Sequence, residues 1–151
     1  MISIALYKPD IPQNTAAILR LCACFNMKTH IIEPCGFNLE DIRFKRVVMD
    51  YGNNIKILRY QDFRDFEKKN SKFRIVLMTT KARKFYNKFE YKKNDILLFG
   101  RESAGVPKEI HDMINHKLKI PINVKTRSLN IAIAAAIVSS EALRQNNFLK
   151  I

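Results

Sequence analysis

Three polar segments of this 151-residue sequence carry side chains that could do chemistry. In Gly100–Gly105 (GRESAG), a guanidinium and a carboxylate stand between two glycines. In Lys125–Asn130 (KTRSLN), polar residues precede a strongly apolar run, and Arg20 lies inside Pro12–Leu21 (PQNTAAILRL). Guanidinium groups hold phosphates, and carboxylates accept hydrogen bonds from hydroxyl and amino groups. The residue types therefore favour a polar or anionic ligand.

The glycine loop matches neither of two common nucleotide-binding patterns. A phosphate-binding P-loop needs Lys and then Ser or Thr after the second glycine, where this chain has Val106 and Pro107. The dinucleotide pattern fails because Arg101 and Glu102 follow Gly100 directly. This disfavours a nucleotide-dependent oxidoreductase. Two interpretations stay open: a loop that closes on a small polar ligand, or a plain turn whose charges face water.

The other two segments are each expected at the start of a helix. Asn14 is predicted to cap a helix that carries Arg20, which could hold phosphate or simply be solvated. Ser128 or Asn130 is predicted to cap the last helix. Backbone N–H groups at that helix start favour polar or anionic ligand atoms, although capping alone would explain the residues.

Hydrophobic spacing places these segments in an alternating series of strands and helices. We therefore predict a single α/β domain over residues 1–151, with a mainly parallel sheet and helices on both faces. The apolar runs 75–78 and 96–99 fit strands that are covered on both faces. The predicted strands are 2–7, 29–33, 55–60, 74–79, 95–99 and 117–121, and the predicted helices are 15–25, 39–50, 62–69, 107–114 and 128–146; the polar, Lys-rich segment 81–94 is assigned to neither.

In parallel sheets, ligands bind beyond the carboxyl ends of the strands. This rule selects the loops that follow Met78, Phe99 and Ile120. Two of these three loops contain the polar segments described above. These three loops are therefore the candidate ligand-binding segments of the chain.

The charge of the chain favours an anionic partner. There are 27 Lys and Arg residues against 14 Asp and Glu residues, a net charge of +13. A folded basic domain commonly binds nucleic acid. The alternative is amino-acid bias, since AT-rich genomes enrich Lys, Asn and Ile, all of which are abundant here.

Cysteine usage and hydropathy predict a cytoplasmic protein without a metal or a membrane segment. Cys22, Cys24 and Cys35 are an odd set in a chain that shows no signal peptide, which fits a reducing compartment and buried free thiols. They lack a matching Cys/His pair, so zinc is not expected. No apolar run approaches the roughly 18 residues that span a membrane.

Three motifs, in order and spacing, resemble those of the SPOUT RNA 2′-O-ribose methyltransferases. They are Pro12–Cys22 (PQNTAAILRLC), Leu98–Pro107 (LFGRESAGVP) and Ile120–Ala136 (IPINVKTRSLNIAIAAA). The short chain is most similar to the subfamily that methylates cytidine or uridine at the anticodon wobble position of tRNA. The late Glu141–Gln145 (EALRQ) supports that subfamily.

The resemblance implies a fold, a cofactor and an assembly. It implies a deep trefoil knot near the C-terminus, S-adenosylmethionine held by the three loops, tRNA as substrate, and a homodimer whose active site lies near the subunit interface. Main-chain groups of Ile120 and Leu129 would meet the adenine, and Arg20 would act on the ribose hydroxyl. Carried over, the cofactor residues are Leu77, Thr79, Gly100, Glu102, Ile120, Ile122, Ser128, Leu129 and Asn130. We expect Asn14 and Arg20 to contact the RNA. The positive charge of the surface adds candidates for contacts with RNA phosphates, namely Lys81, Arg83, Lys84, Lys88, Lys125 and Arg127.

Some positions depart from the motifs. Ala16 stands where the family usually has Gly, and Ala17 stands where it often has Asn. Ala132 stands where the family usually has Ser. Ile133 replaces a frequent Asn, and Ser140 a frequent Tyr. The alternative these departures raise is a non-catalytic RNA-binding module that keeps the knotted fold. Because Asn14, Arg20, Glu102, Ser128 and Asn130 are all present, we expect an active enzyme.

Overall fold

The computed structural model describes residues 1–50 and 55–147, with strands and helices alternating along them. The strands are β1 (Ser3–Tyr7), β2 (Lys28–Ile32), β3 (Lys56–Tyr60), β4 (Ile75–Met78), β5 (Lys84–Phe85), β6 (Ile96–Phe99) and β7 (His116–Lys119). The helices are α1 (Pro12–Cys24), α2 (Ile42–Met49), α3 (Phe63–Lys69), α4 (Lys108–Met113) and α5 (Ile131–Gln145), and a 3₁₀ turn spans Tyr86–Lys88.

The strands form one seven-stranded sheet in the order β3-β2-β1-β6-β4-β7-β5. Every neighbouring pair in that order is parallel. This confirms the predicted α/β class. The parallel arrangement brings the carboxyl ends of β4, β6 and β7 to the same edge of the sheet, which is where the predicted site loops begin.

Successive side chains of the strands point to opposite faces of the sheet and pack in a hydrophobic core on each face. On one face, Ile4 and Leu6 of β1 pack in a cluster that includes Ile18 of α1 and Val138 of α5. On the other face, Tyr7 packs in a cluster with residues of α3 and α4. Burial on both faces explains the continuous apolar runs of β4 and β6, because both sets of side chains leave water.

Several predicted boundaries were wrong, and Asn14 is the most informative case. The helix begins at Pro12 with Ile11 at the N-cap, so Asn14 lies in the first turn and does not cap it. Proline suits this position because its missing N–H would have no partner in the helix. Pro107, expected in the first turn of α4, is instead its N-cap residue. Ser128 does not cap α5, since Asn130 does.

Strand β5 was not predicted. Lys84 and Phe85 pair with Leu118 and Lys119 of β7 at the edge of the sheet. Both β5 side chains are exposed, so they lack the apolar alternation that identifies a strand in a sequence.

The other predicted elements are present with shifted ends. The thiols were predicted as buried, but only Cys22 is, since Cys35 is half-buried and Cys24 is exposed. Within the described residues, no helix has the length and hydropathy needed to cross a bilayer. The same part of the chain holds no group of three His, Cys, Asp or Glu side chains that could bind a metal ion.

Candidate active site

A cavity of about 410 Å³ opens beyond the carboxyl ends of β4, β6 and β7. Its walls come from the three loops that the strand-end rule selects, together with the start of α5. The volume lies in the range of sites that bind small molecules and cofactors. The three loops selected by the strand-end rule therefore lie together around one cavity.

Most of the predicted cofactor residues line this cavity. Eight of the nine are in its wall: Leu77, Thr79, Gly100, Glu102, Ile120, Ile122, Ser128 and Leu129. The ninth, Asn130, adjoins this wall as the N-cap residue of α5. The wall thus combines apolar side chains from the strand ends with polar groups from the glycine loop and the α5 start.

The glycine loop is a tight turn closed by its own backbone. Arg101 N donates to Gly105 O at 3.1 Å, and Gly105 N donates to Arg101 O at 2.8 Å. A Cβ atom on Gly100 would lie 2.5 Å from the Gly105 carbonyl carbon, so no side chain fits there. Gly105 has φ of 69°, in the left-handed region that favours glycine. The turn fixes the direction in which Arg101 and Glu102 leave the sheet.

Both carboxylate oxygens of Glu102 accept hydrogen bonds from the β1–α1 region. Asp10 N donates to Oε2 at 2.8 Å, and Asn14 Nδ2 donates to Oε1 at 3.2 Å. Glu102 is only half-buried and lines the cavity. These bonds hold a negative charge at a fixed place in the cavity wall.

Asn14 also connects Glu102 to the start of α5. Asn130 Nδ2 donates to Asn14 Oδ1 at 2.9 Å. Asn130 Oδ1 in turn accepts from the backbone N–H groups of Ala132, at 2.8 Å, and Ile133, at 3.4 Å. One hydrogen-bonded chain therefore joins the glycine loop, the first turn of α1 and the N-terminus of α5.

A second contact fastens the β1–α1 loop to the glycine loop. The Arg101 guanidinium forms an ion pair with the Asp10 carboxylate. Ser103 Oγ donates to Asp10 Oδ2 at 2.6 Å, and Ser103 N donates to the same oxygen at 3.2 Å. The hydrogen bond from Arg101, supported by Ser103, lowers the pKa of Asp10 to about 2. Asp10 is therefore ionised at any pH near neutrality.

The predicted RNA-binding residues lie at different distances from the cavity. Lys81 and Arg127 line it, whereas Arg83 and Lys125 are exposed outside the wall. Arg20 is exposed on α1 and does not line the cavity of its own chain.

Two further residues of the site, Asp10 and Ser103, were missed by sequence reasoning. Their contacts join positions more than 90 residues apart, and no local pattern marks such a pair. The only available signal was the position of Asp10 between Pro9 and Pro12, after the first strand.

Comparison with known proteins identifies a family for most of the chain. Residues 1–140 match the model of the SpoU rRNA methylase family. A protein of Beijerinckia indica named tRNA (cytidine(34)-2′-O)-methyltransferase is 46% identical over 144 residues, which cover 94% of this chain and 90% of the relative.

Solved structures share the same architecture. One protein, described with the 2-OH methylation of C/U34 on tRNA, aligns with a TM-score of 0.92 and 32% identity, over 97% of both chains. An AdoMet-bound rRNA methyltransferase from Sinorhizobium meliloti aligns with a TM-score of 0.85 and 25% identity, over 95% of this chain and 56% of its own.

Proposed function

The chain belongs to the SpoU rRNA methylase family, and from this we propose that it transfers a methyl group from S-adenosylmethionine to a ribose 2′-hydroxyl of tRNA. We assign the methylated nucleotide as the cytidine or uridine at the anticodon wobble position. The 46% identity to the Beijerinckia indica relative, over nearly the full length of both chains, carries this assignment. The cavity formed by the three loops gives it a physical site.

The residues of the cavity fit the proposed cofactor. Apolar walls from Leu77, Ile120 and Leu129 suit an adenine ring, and main-chain groups of Ile120 and Leu129 would meet its polar edge. The fixed Glu102 carboxylate suits the positive charges of the ligand. The rRNA methyltransferase from Sinorhizobium meliloti, whose solved structure is AdoMet-bound, supports the same choice.

S-Adenosylmethionine supplies an electrophilic methyl group when bound, so the protein must align the hydroxyl and help its proton leave. Glu102 is poorly suited to accept that proton as a general base, because both of its carboxylate oxygens already accept hydrogen bonds. A guanidinium stays protonated at neutral pH. We therefore assign Arg20 to position the ribose hydroxyl and an RNA phosphate, and to stabilise the developing alkoxide.

The position of Arg20 supports a homodimer. It is exposed and outside the cavity lining of its own chain, so a second subunit could bring it to the cavity across an interface. The apolar side chain of Ile133, at the start of α5, is also exposed, with 54% of it accessible to solvent. Covering it in a dimer would explain why an apolar residue stands on the exposed face of this helix.

The remaining parts of the proposal come from the resemblance and the composition. We propose a C-terminal trefoil knot, since the cavity loops come from the segment that would be knotted. We propose a cytoplasmic location, where tRNA is the anionic partner of a chain with a charge of +13.

Methyl transfer to undermodified tRNA, followed by nucleoside mapping, tests the activity, the base and the position together. We expect one 2′-O-methylated nucleotide at the wobble position. A modified base, or a ribose methylated elsewhere, would contradict the assignment.

No observation favours the non-catalytic RNA-binding module. Ala16 is 7% exposed and packs with Leu19 and Phe44, so it has a place in the core. Ala132 leaves the cap of α5 intact, since its N–H still donates to Asn130. Calorimetry with S-adenosylmethionine separates the two functions, because an absence of binding at millimolar ligand would favour the module.

A further inference from the structure

A second concavity, which we call the edge groove, lies beside the cofactor cavity at the β5 end of the sheet. Its volume is about 400 Å³. It shares Lys81 and His111 with the cofactor cavity, so the two concavities adjoin through these residues. The edge groove is lined by Lys81, Ala82, Arg83, Lys84, Phe89, His111, Asn115, His116, Lys117 and Leu118.

The groove is strongly basic. Its lining contains Lys81, Arg83, Lys84 and Lys117, and no carboxylate. Lys117 Nζ donates to the carbonyl oxygens of His111, at 2.8 Å, and Ile114, at 2.7 Å, which directs one charge inward. In the part of the chain that the structure describes, no carboxylate pairs with the first three cations. The positive charge is therefore available to a ligand.

The lowered pKa of His116 is consistent with a positive electrostatic potential in the groove. Burial lowers the pKa of His116 first, and the positive charges of Arg74, Lys84 and Lys92 lower it further, against the opposing effect of Asp95. The imidazole is therefore neutral at neutral pH.

An aromatic side chain stands at the edge of the sheet next to the groove. Phe85 follows Lys84 in β5 and is 40% exposed. Lys119 Nζ lies 5.5 Å from the centre of its ring, and Lys119 also lines the cofactor cavity. Exposed aromatic rings beside cations are the usual platform for single-stranded bases.

Protection of the sheet edge accounts for part of this pattern only. Short edge strands that carry lysine prevent pairing with other chains, and Lys84 fits that role. It does not explain why Lys81, Arg83 and Lys117, which are outside β5, surround the same concavity. A polyanion with exposed bases matches both the charge and the ring.

We propose that the edge groove binds the sugar–phosphate backbone of RNA next to the nucleotide that enters the cofactor cavity, with one base stacked on Phe85. The proposal rests on the proposed function, because it treats the RNA as the methyl-transfer substrate. The shared wall at Lys81 and His111 lets one strand occupy both concavities without leaving the surface.

The first test compares two charge-matched double variants. Arg83→Ala/Lys84→Ala removes two cations from the groove, and Arg64→Ala/Lys68→Ala removes two exposed cations from α3, which packs against β3 at the opposite edge of the sheet. Equilibrium binding of undermodified tRNA is measured across salt concentrations, together with KM and kcat. For the groove variant we expect about a tenfold rise in Kd and KM and a salt slope lower by about 1 to 2. The α3 variant should stay within about twofold of the parent.

The second test concerns the ring. Phe85→Leu should weaken tRNA binding by about fivefold or more, and Phe85→Tyr should restore it, because only the aromatic variant can stack. The Kd for S-adenosylmethionine, measured without RNA, should match that of the parent in all four variants. This separates loss of RNA contacts from a damaged fold.

Several results would overturn the proposal. For the double variants, these results are an equal loss of tRNA affinity in both, or no loss in either. For Phe85, the contradicting result is the same Kd for tRNA in the Leu and the Tyr variant. A groove variant with a changed oligomeric state and an unchanged tRNA affinity would also contradict the proposal. Failure of the proposed function is distinguishable, because it removes methyl transfer by the parent while the binding differences between variants remain measurable.

Discussion

Asn14 and Glu102 stand 88 positions apart in the chain, and Asn14 Nδ2 donates a hydrogen bond of 3.2 Å to Glu102 Oε1. The other end of the same amide accepts from Asn130 at 2.9 Å. A donor on one side and an acceptor on the other are both used, which an amide provides and a carboxylate does not. The orientation of Asn14 thus links the carboxylate of the glycine loop to the cap of α5.

Asn14→Asp should therefore weaken cofactor binding. The variant keeps the shape of the side chain but places a carboxylate against Glu102 and removes the donor. We expect the Kd for S-adenosylmethionine, measured by calorimetry without RNA, to rise about tenfold or more. The matched control is Gln13→Glu, an exposed neighbour on the same helix turn that changes the net charge equally. An equal rise in this Kd for both variants would show that the change in net charge alone weakens binding.

Asp10→Asn should loosen the contact between the β1–α1 loop and the glycine loop. We expect a loss of about 1 kcal/mol in the free energy of unfolding at pH 7, because Arg101 is partly exposed and water screens the pair. Arg101 holds the pKa of Asp10 at about 2, below the ordinary 3.8, so this contribution is complete above pH 4 and lost towards pH 2. Urea unfolding at pH 7 and pH 3 should show the difference from the parent shrinking. A difference that is constant with pH would contradict the ionic role.

The sequence predicted the sheet and the cavity better than the contacts inside the cavity. The alternation of apolar segments identifies β1, β4 and β6, and the strand-end rule then selects the three loops that the structure brings together. Both signals are local, since each depends on a few consecutive residues.

The errors share one physical cause. Asn14 has the chemistry of an N-cap, but Pro12 starts the helix two residues earlier and frees the amide for partners on two other loops. Strand β5 forms only because β7 offers it a partner. Asp10 meets Arg101 across 91 positions. Each outcome depends on tertiary contacts, which override local propensity and leave no periodic trace in the sequence.

Arg20→Lys should separate charge from geometry in the proposed catalytic role. Lysine keeps the positive charge but loses the planar fork that can hold a hydroxyl and a phosphate together. We expect kcat to fall by about 100-fold, with the Kd for S-adenosylmethionine unchanged. Arg64→Lys, an exposed arginine on α3, is the control and should retain the parental rate. Methyl transfer at the parental rate by the Arg20 variant would exclude a specific guanidinium role.

Arg74→Met should destabilise the fold strongly without touching the site. Arg74 makes two hydrogen bonds, of 2.7 and 2.6 Å, to Asp95, which is fully buried. Removing the cation leaves a buried carboxylate that keeps the hydrogen bond from Lys92 N, at 2.8 Å, but loses its charged partner, which costs about 3–5 kcal/mol. Denaturant unfolding at pH 7 measures this loss. Lys108→Met breaks the exposed pair with Asp112 and should leave the midpoint near that of the parent. Similar losses in both variants would show that the burial of Asp95 is not what matters.

His30 should make the stability of the protein depend on mildly acidic pH. Its ring lies between Tyr60 OH, at 2.8 Å from Nδ1, and Ser3 Oγ, at 3.2 Å from Nε2, and is 4% exposed. Burial, and secondarily the charge of Lys28, lower the pKa of His30 to about 4. As the pH falls, the unfolded chain therefore binds this proton before the folded protein does. The contribution of neutral His30 to the free energy of unfolding is fully present above about pH 6.5 and is lost towards pH 4, by an amount on the order of 3 kcal/mol.

Urea unfolding of the parent and of His30→Gln, between pH 7 and pH 4, measures this contribution. Glutamine can keep hydrogen bonds to Ser3 and Tyr60 but does not titrate. The variant should be less stable than the parent at pH 7 and should approach or exceed it near pH 4.5. His116, whose pKa is also lowered, affects both proteins equally, so the difference between the two curves isolates His30. Parallel curves over this range would place the pH dependence elsewhere in the chain.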